Sequence, residues 1–223
     1  MKKIIIAIVF IIILLICAIW SPWLSWNLTF GQLLGLGTKP SYSGLKIFSL
    51  VGEVDAYLDN EYIGTISPET GCLDDNQISP GTHEVKITRK SDPAGSYYEL
   101  VKNINFEIGI DVIISYELGP SKEFSEGHIF YAEKSFIDTN KSKLNVTSVP
   151  DKSKLYLDDI FIGETPLFDI DIDLSSQHKI KLVHDGYDTI EFKILPESQE
   201  DRDKLKGYKL NLEINMFLIP IKL

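Results

Sequence analysis

Two histidines occupy equivalent places in the chain and are the first residues to consider for chemistry. His83 begins the stretch "HEVKI" and His178 begins "HKIKL". A repeated histidine could serve as a metal ligand or as a general base. Each one, however, begins a run in which alternate residues are apolar. We therefore expect a core-facing imidazole that is hydrogen-bonded to the backbone, and we assign neither histidine a catalytic role.

The acidic stretch "DIDID" at 169–173 spaces its carboxylates as a calcium-binding loop does. It lacks the glycine at the sixth loop position, and Ile180 stands where a bidentate glutamate is needed. We therefore expect three outward-facing aspartates on a strand. The acidic pairs at 74–75 and 158–159 are expected to be solvated loop residues, and acidic loops of this kind can bind calcium weakly outside the cell. No metal site is predicted.

Cys72 lies in a predicted loop, and no sequence signature supplies the base that a catalytic thiol needs. Cys17 lies in an apolar run, so the two cysteines of the chain are not expected to form a disulfide, and they are too few for a zinc site. The sequons at Asn27 and Asn145 matter only in a glycosylating host. The motifs of serine hydrolases, zinc proteases, phosphate-binding loops and dinucleotide-binding folds are missing from the sequence. We expect no enzyme activity and no cofactor.

Charge is distributed unevenly along the chain. All 32 acidic residues lie after residue 43, whereas Lys2, Lys3 and Lys39 precede it. Residues 44–223 therefore hold 19 of the 22 basic residues against 32 acidic ones, a net charge of −13. A body this acidic repels phosphate backbones, so nucleic acid is not expected as a partner.

The first 26 residues are predicted to anchor the chain in a membrane. Residues 4–20, "IIIAIVFIIILLICAIW", form 17 unbroken apolar positions behind a Met-Lys-Lys start. As a helix this run is about 25 Å long, and Trp23 and Trp26 extend it towards the ~30 Å hydrocarbon core. Two lysines precede the span and none follows it directly. This asymmetry predicts a single-pass protein with a cytoplasmic N-terminus and an extracytoplasmic body.

Two other interpretations of this segment stay open. A cleaved signal peptide normally has an apolar region of only about 7–15 residues. Cleavage after Trp20 would require a small side chain at that position, and cleavage after Ser21 would place Pro22 next. A lipoprotein would use Cys17, but the bulky Ile16 precedes it. A retained signal anchor is therefore the preferred interpretation.

Two stretches of the chain repeat each other. The octapeptide "YLDNEYIG" at 57–64 recurs as "YLDDIFIG" at 156–163. The same offset holds over a longer alignment without a gap, in which Leu45, Ser49, Tyr57, Leu58, Asp59, Ile63 and Gly64 match Leu144, Ser148, Tyr156, Leu157, Asp158, Ile162 and Gly163. A tandem duplication explains this pattern better than chance.

Each copy has the pattern of a small β-sandwich. Apolar residues alternate with polar ones, which predicts half-buried antiparallel strands. The dipeptides at 59–60 and 158–159 separate strand runs by two residues and tolerate left-handed backbone angles, so each predicts a tight hairpin turn. Six or seven short strands per copy predict an all-β fold class: two tandem small antiparallel β-sandwich domains, immunoglobulin-like or prealbumin-like, after one N-terminal transmembrane helix.

These patterns divide the chain into five parts. The membrane anchor covers 1–26, and a juxtamembrane linker containing Gly, Pro and Ser covers 27–43. The first sandwich covers 44–118, an inter-domain segment with one strand-like stretch covers 119–142, and the second sandwich covers 143–223.

Two segments within the sandwiches depart from the strand pattern. The stretch "SPETGCLDDNQISPG" at 67–81 is predicted to be a long loop. Residues 196–207 are predicted to form a short surface helix, which Pro196 opens, Ser198 caps and Gly207 ends.

The assembled residues resemble the PEGA domain family, small β-sandwich modules that are often found in tandem in bacterial and archaeal envelope proteins. The second copy matches the family pattern at Ser148, Pro150, Tyr156, Asp158, Gly163, Thr165-Pro166, His178, Ile180 and Gly186-Tyr187. The first copy keeps Ser49, Tyr57, Asp59, Gly64, Pro68, Pro80-Gly81, His83 and Val85. The name-giving tetrapeptide is replaced by "VGEV" at 51–54 and by "PDKS" at 150–153. The resemblance implies a sandwich fold and a surface or periplasmic module without chemistry of its own.

We therefore expect a membrane-anchored structural or binding module that displays two β-sandwiches outside the cytoplasmic membrane. The expected partners are the membrane itself and a cell-wall polymer or an envelope protein, which exposed loops or edge strands would contact. An alternative is an accessory subunit of an envelope transport or secretion complex, in which the helix would also be an assembly surface. A third hypothesis is a hydrolase or metal-dependent enzyme of unfamiliar geometry.

Overall fold

Fifteen β-strands and one short α-helix make up the residues that the computed structural model describes, 42–134 and 142–220. These residues fall within one compact unit. The strands of the first half are β1 Ser43–Phe48, β2 Val54–Leu58, β3 Glu61–Ile66, β4 Cys72–Ile78, β5 Gly81–Arg89, β6 Leu100–Phe106 and β7 Asp111–Glu117. Next comes β8 Glu126–Lys134, followed in the second half by β9 Ser142–Val149, β10 Lys154–Leu157, β11 Ile160–Glu164, β12 Leu167–Ile172, β13 His178–Val183, β14 Ile190–Ile194, α1 Gln199–Lys204 and β15 Tyr208–Asn215. The predicted all-β class is confirmed.

Two tight hairpins form where the sequence predicts them. Asp59 and Asn60 join β2 to β3, and Asp158 and Asp159 join β10 to β11. The φ angles are 49° and 67° in the first turn and 50° and 64° in the second. Positive φ at both central positions is the mark of a type I′ turn, whose twist matches that of the flanking strands. Asp and Asn adopt this conformation more readily than most residues, which is why these positions carry them.

The strands form three sheets, and the strand order of the first half recurs in the second. The large sheet has seven strands in the order β12-β9-β15-β8-β7-β1-β4. The two small sheets have four strands each, in the orders β3-β2-β5-β6 and β11-β10-β13-β14. Each strand of the first half therefore has a counterpart in the second. Among the described strands, only β8 has none.

Strand β8 joins the two halves. It pairs antiparallel with β7 on one side and with β15 on the other. Ile129 belongs to the core beneath the first small sheet, whereas Phe130 and Ala132 belong to the core beneath the second. Because neighbouring residues of a strand point to opposite faces, the two small sheets lie on opposite faces of the large sheet. A strand buried on both faces needs an unbroken apolar run, and β8 supplies one in "IFYA" at 129–132.

The two halves are therefore not separate sandwiches connected by a linker. The sequence predicts an inter-domain segment at 119–142, but the structure places β8, within that segment, at the middle of the shared sheet. The expectation of two independent domains at 44–118 and 143–223 is not confirmed, because each half completes its share of the large sheet with β8.

The sequence pattern predicts purely antiparallel sheets, and this prediction is wrong for two strand pairs. β1 pairs with β7 in parallel, and β9 pairs with β15 in parallel. The reason lies in the connections between the sheets. In the first half, the chain leaves the small sheet after its outermost strand β6 and returns to the large sheet as β7. There β7 lies beside β1 and runs in the same direction.

Helix α1 begins and ends close to its predicted position. The Ser198 hydroxyl accepts a hydrogen bond from the Asp201 amide, so the predicted N-cap is confirmed. Arg202 is only 7% exposed, which a surface helix does not predict. Its guanidinium donates hydrogen bonds to the carbonyls of Leu174, Ser175, Pro196 and Glu197. These bonds attach the helix to two neighbouring loops.

The predicted anchor at 1–26 and nearly all of the linker at 27–43 lie outside the described residues. Within 42–134 and 142–220, no helix has both the length and the apolar character needed to cross a membrane.

Candidate binding surface

A histidine and an aspartate fix the hairpin turn of each half, and we call this pair the histidine latch. His83 Nδ1 lies 2.6 Å from Asp59 Oδ2, and His178 Nδ1 lies 2.6 Å from Asp158 Oδ2. The other ring nitrogen, Nε2, lies within hydrogen-bond distance of a backbone carbonyl. For His83 this is the carbonyl of Ser79 at 2.9 Å, and for His178 it is the carbonyl of Asp173 at 2.7 Å. The predicted hydrogen bond to the backbone is therefore confirmed. The aspartate partner, 24 or 20 residues away in the chain, is not apparent from the sequence.

The second carboxylate oxygen of each latch closes the hairpin onto the next strand. Asp59 Oδ1 accepts from the Glu84 amide at 2.9 Å, and Asp158 Oδ1 accepts from the Lys179 amide at 2.8 Å. The hydrogen bond from His83 holds the pKa of Asp59 below its usual range. Partial burial acts to raise the pKa of Asp158, but the hydrogen bonds from His178 and from the Lys179 amide outweigh it, so this pKa is also lowered. The ionised aspartate thus stabilises each turn.

The second hairpin presents an unusually apolar strand to solvent. Ile160 is 67% exposed, Phe161 is 53% exposed and Ile162 is 37% exposed, all on β11. Phe168, on the neighbouring β12, is 61% exposed. We call these four residues the exposed edge. Exposed apolar clusters rimmed by polar residues mark interaction sites more often than scattered apolar residues do.

The hairpin also brings β11 close to β12. A Cβ atom placed on Gly163 would lie 3.0 Å from a δ-carbon of Leu167, so glycine at this position lets the leucine pack against the backbone of β11. Gly64 and Leu73 repeat this contact in the first half. The exposed side chains of β11 lie on both faces of the strand, because Ile160 pairs with Leu157 and Phe161 pairs with the next residue, Tyr156.

The corresponding strand of the first half is more polar. β3 carries Glu61 and Tyr62 at the positions of Ile160 and Phe161. The Tyr62 hydroxyl is hydrogen-bonded to Thr65 at 2.7 Å, and Thr65 donates in turn to Asp55. The two halves therefore share a fold but present different chemistry at this edge.

The acidic stretch at 169–173 lies where the sequence predicts it. Asp169 and Asp171 are exposed on β12 and Asp173 is exposed just after it, so the expectation of outward-facing aspartates is confirmed. Lys143 lies 2.7 Å from Asp171 and Lys209 lies 3.5 Å from Asp169. Across 42–134 and 142–220, no group of three or more His, Cys, Asp or Glu residues is placed to hold a metal ion.

The predicted loop at 67–81 is partly wrong, because residues 72–78 form β4. Cys72 begins this strand, and Asp74 pairs with Lys46 of β1 across the ladder. β4 is an outermost strand of the large sheet, where one face is solvated. It therefore tolerates polar residues, and these make its sequence resemble a loop. Cys72 is a free thiol of intermediate exposure.

The second sequon lies within a hydrogen-bonded pair rather than free in solvent. Asn145 Nδ2 donates to Asn211 Oδ1 at 2.9 Å, and its Oδ1 accepts from the Asp169 amide at 3.0 Å. The asparagine therefore serves to fix β12 against β9. The first sequon, at Asn27, lies outside the described residues.

His128 on β8 has a different environment from the latch histidines. Its ring stacks on Phe192 of β14 with the centroids 3.8 Å apart and an interplanar angle of 3°. Burial lowers the pKa of His128 to about 4. This histidine is therefore neutral at physiological pH and acts as part of the contact between the large sheet and the second small sheet.

A cleft of about 510 Å³ lies between β1, β7 and α1. Two lysines line it, and each is paired: Lys46 lies 2.6 Å from Asp111, and Lys204 lies 2.6 Å from Asp201. The cleft offers ion pairs already formed within the protein, so the exposed edge is the better candidate for binding.

Comparison with known proteins identifies one part of the chain. The family model described as PEGA domain matches residues 141–213. The matched range is about a third of the chain and runs from β9 nearly to the end of β15. No curated protein and no solved structure gives a significant match.

Proposed function

We propose that this chain, which contains a PEGA domain at residues 141–213, is a non-catalytic binding module displayed outside the cytoplasmic membrane. The apolar run at 4–20 would hold it in the membrane, and the β-rich body would project from that anchor. The first half would be a second, divergent PEGA copy. Its contacts would be made by the exposed edge of the second half, against an envelope protein or a wall polymer.

The observation that carries the proposal is the PEGA match behind a 17-residue apolar run. PEGA-like modules resemble surface and periplasmic domains, and a run of this length and composition favours insertion into a bilayer. The recurrence of the strand order in the unmatched first half supports a second copy. The net charge of −13 on residues 44–223 argues against nucleic acid as the partner.

The two histidine latches support display rather than catalysis. Each imidazole is held between a turn aspartate and a backbone carbonyl, an arrangement that stiffens a hairpin. A stiff hairpin loses little conformational freedom when its outer strand binds a partner. The latch of the second half fixes the turn directly before Ile160, the first residue of the exposed edge.

Fractionation of cells that produce the full chain with a C-terminal epitope tests the proposal. We expect the protein to stay with the membrane after alkaline carbonate washing, and protease added to intact spheroplasts to remove the epitope. A matched variant with Ile8, Ile12 and Leu15 replaced by Asp should be lost from the membrane fraction. An epitope that resists protease until the membrane is broken would contradict the proposal, as would a native N-terminus beyond Ser25.

A scrambled order of residues 4–20 at unchanged composition separates display from an accessory-subunit role. If the helix serves only as an anchor, the scrambled chain should retain the cross-linked partners of the wild type. Loss of those partners with normal membrane retention would favour the accessory subunit of an envelope complex.

A further inference from the structure

Within residues 42–134 and 142–220, the backbone of β11 is paired on one side only. Its partner there is β10, because β11 is an outermost strand of its four-stranded sheet. The N–H and C=O groups on the other side of such a strand form a template for another extended chain. The hairpin turn that precedes β11 is fixed by the histidine latch, so this template is formed before any partner arrives.

The other outermost strands of the described sheets carry features that discourage pairing. Charged residues lie within four of them, at Asp74 and Asp75 on β4, Lys102 on β6, Asp169 and Asp171 on β12, and Glu191 and Lys193 on β14. β3 begins with Glu61 and presents the Tyr62–Thr65 hydrogen bond. β11 carries no charge before its last residue, Glu164, and its first three residues are apolar and exposed. β11 is short and its ladder with β10 has a register shift between Leu155 and Tyr156, and both features limit pairing, but its exposed side chains lack the charge that protects the other edges, which favours a partner at this one.

The size of the exposed edge favours a strand-like segment over a globular partner. Four apolar side chains exposed to between about a third and two thirds amount to roughly 400 Å² of apolar surface. A stable interface between two globular proteins buries about 800 Å² on each partner. A single extended segment fits the smaller area, and its main-chain hydrogen bonds supply what the side-chain area lacks.

Charge indicates which kind of segment fits. Glu164 ends β11 with a carboxylate, whereas Asp159, in the preceding turn, is already paired with Lys179 at 2.7 Å. The surrounding body has a net charge of −13 over residues 44–223. Two such bodies repel each other, which disfavours a second copy of the chain, whereas a segment with basic residues at its ends is attracted.

We propose that β11 binds an extended segment of a partner polypeptide, with alternating apolar side chains and with Lys or Arg at its ends, which adds a fifth strand to the second small sheet. The inference rests on the proposed function, because the partner must be present on the side of the membrane where the body lies. The apolar side chains of the exposed edge would determine which segment binds. The acidic surroundings would attract the basic ends of that segment.

The probe for this proposal is a fluorescent peptide of sequence Lys-Val-Thr-Val-Thr-Val-Lys, titrated with the full chain in mild detergent. We expect saturable binding by fluorescence anisotropy, weakened at least tenfold by the double substitution Ile160→Thr and Phe161→Thr. Threonine keeps strand propensity and adds no charge. Tyr62→Thr, at the position of β3 equivalent to Phe161, is the matched control and should bind as the wild type does. Circular dichroism must show that all three proteins are folded.

Two altered peptides separate backbone pairing from charge. A proline in place of the central Val should abolish binding, because it cannot donate to the ladder. Glutamate in place of both lysines should weaken binding at least fivefold at low salt, and about 0.5 M NaCl should reduce this difference because salt screens exposed charges. Equal binding of the proline peptide, equal loss in Tyr62→Thr, or unchanged affinity in the double variant would each overturn the proposal.

A second copy is tested by analytical ultracentrifugation of the same proteins. Concentration-dependent dimers that disappear in the Ile160→Thr, Phe161→Thr variant would replace the peptide proposal with self-association through β11. If the epitope is exposed outside the cell but the peptide does not bind, display stands and only this inference fails. If the epitope lies on the cytoplasmic side, the proposed function fails whatever the peptide does.

Discussion

His128 should make the protein less stable as the pH falls from 7 to 4. Its ring is stacked on Phe192 and largely buried, and burial lowers its pKa from 6.5 to about 4. In the unfolded chain the same residue takes up a proton near pH 6.5, so between these two values the unfolded state binds more protons. The contribution of His128 to stability must therefore decrease as the pH falls through this window and level off below about pH 4.

The size of the effect follows from the pKa difference. A shift of one pKa unit corresponds to about 1.4 kcal/mol, so His128 alone should account for about 2 kcal/mol between pH 7 and pH 5, and about 3 kcal/mol by pH 4. Glu126 acts in the opposite direction, because burial, followed by repulsion from Asp188 and Glu117, raises its pKa. Its protonation favours the folded state as the pH falls. The wild-type curve is thus a sum, and a variant is needed to isolate His128.

The variant is His128→Gln, which removes the titrating ring and keeps a neutral side chain. Urea unfolding of the full chain in mild detergent, followed by far-ultraviolet circular dichroism at pH 7, 6, 5 and 4.5, gives the free energy of unfolding. We expect the wild type to lose about 2 kcal/mol more than the variant between pH 7 and pH 5. The reasoning is refuted if wild type and His128→Gln lose equal stability over this range.

Three further predictions address the shared strand, the helix and the latch. Gly127→Ala places a Cβ against the backbone of Ser115 and Tyr116 on β7 and should cost about 3 kcal/mol. Gly95→Ala, with nothing within 4 Å but with a φ of 80°, should cost only the strain of that angle, about 1–2 kcal/mol, and equal costs would argue against close packing of β8 on β7. Arg202→Met leaves buried carbonyls without donors and should cost about 2–4 kcal/mol in the same assay. Lys206→Met is the control and should change stability by less than about 0.5 kcal/mol. An Arg202→Lys protein as stable as wild type would contradict the role of the guanidinium. Asp158→Asn keeps a residue that tolerates the turn but removes the charge, and should speed amide exchange at Lys179 about tenfold by NMR, whereas Asp159→Asn should not. Because the pKa of Asp158 is lowered, the wild-type amide should keep this protection as the pH falls through the usual range of an aspartate and lose it only below that range.

The parts of the fold that depend on neighbours in sequence could be predicted. The two hairpin turns follow from Asp and Asn at positions of positive φ, and the helix cap follows from Ser198. Strands β5 and β13 alternate apolar and polar residues strongly enough to be identified. Each of these signals lies within a few residues of the structure it specifies.

The parts that depend on distant pairing could not be predicted. β4 is polar because it is an edge strand, so its sequence resembles a loop. The burial of Arg202 is set by carbonyls on two loops, one of them about 28 residues away. The latch aspartates satisfy their own turns locally, and nothing in the sequence identifies His83 or His178 as their partners.

The same limit applies to the exposed edge. The repeat alignment places Phe161 opposite Tyr62 and identifies both as strand residues, but it treats the two copies as equivalent. Only the sheet order shows that β3 and β11 are both outermost, so that their side chains remain in solvent. The difference between Glu61-Tyr62 and Ile160-Phe161 then becomes a difference in binding chemistry rather than a conservative change within a core.

Strand β8 completes both halves of the large sheet. Without β8, both β7 and β15 would be outermost strands. Ile114 in one core and Leu212 in the other would then lose the residues of β8 that lie beside them. One strand with two apolar faces satisfies both halves at once and removes two edges that would otherwise pair with other chains. Among the described sheets it leaves β11 as an edge strand whose exposed apolar residues carry no charge before Glu164. The fold thus covers two edges that could aggregate and leaves exposed the one at which we propose binding.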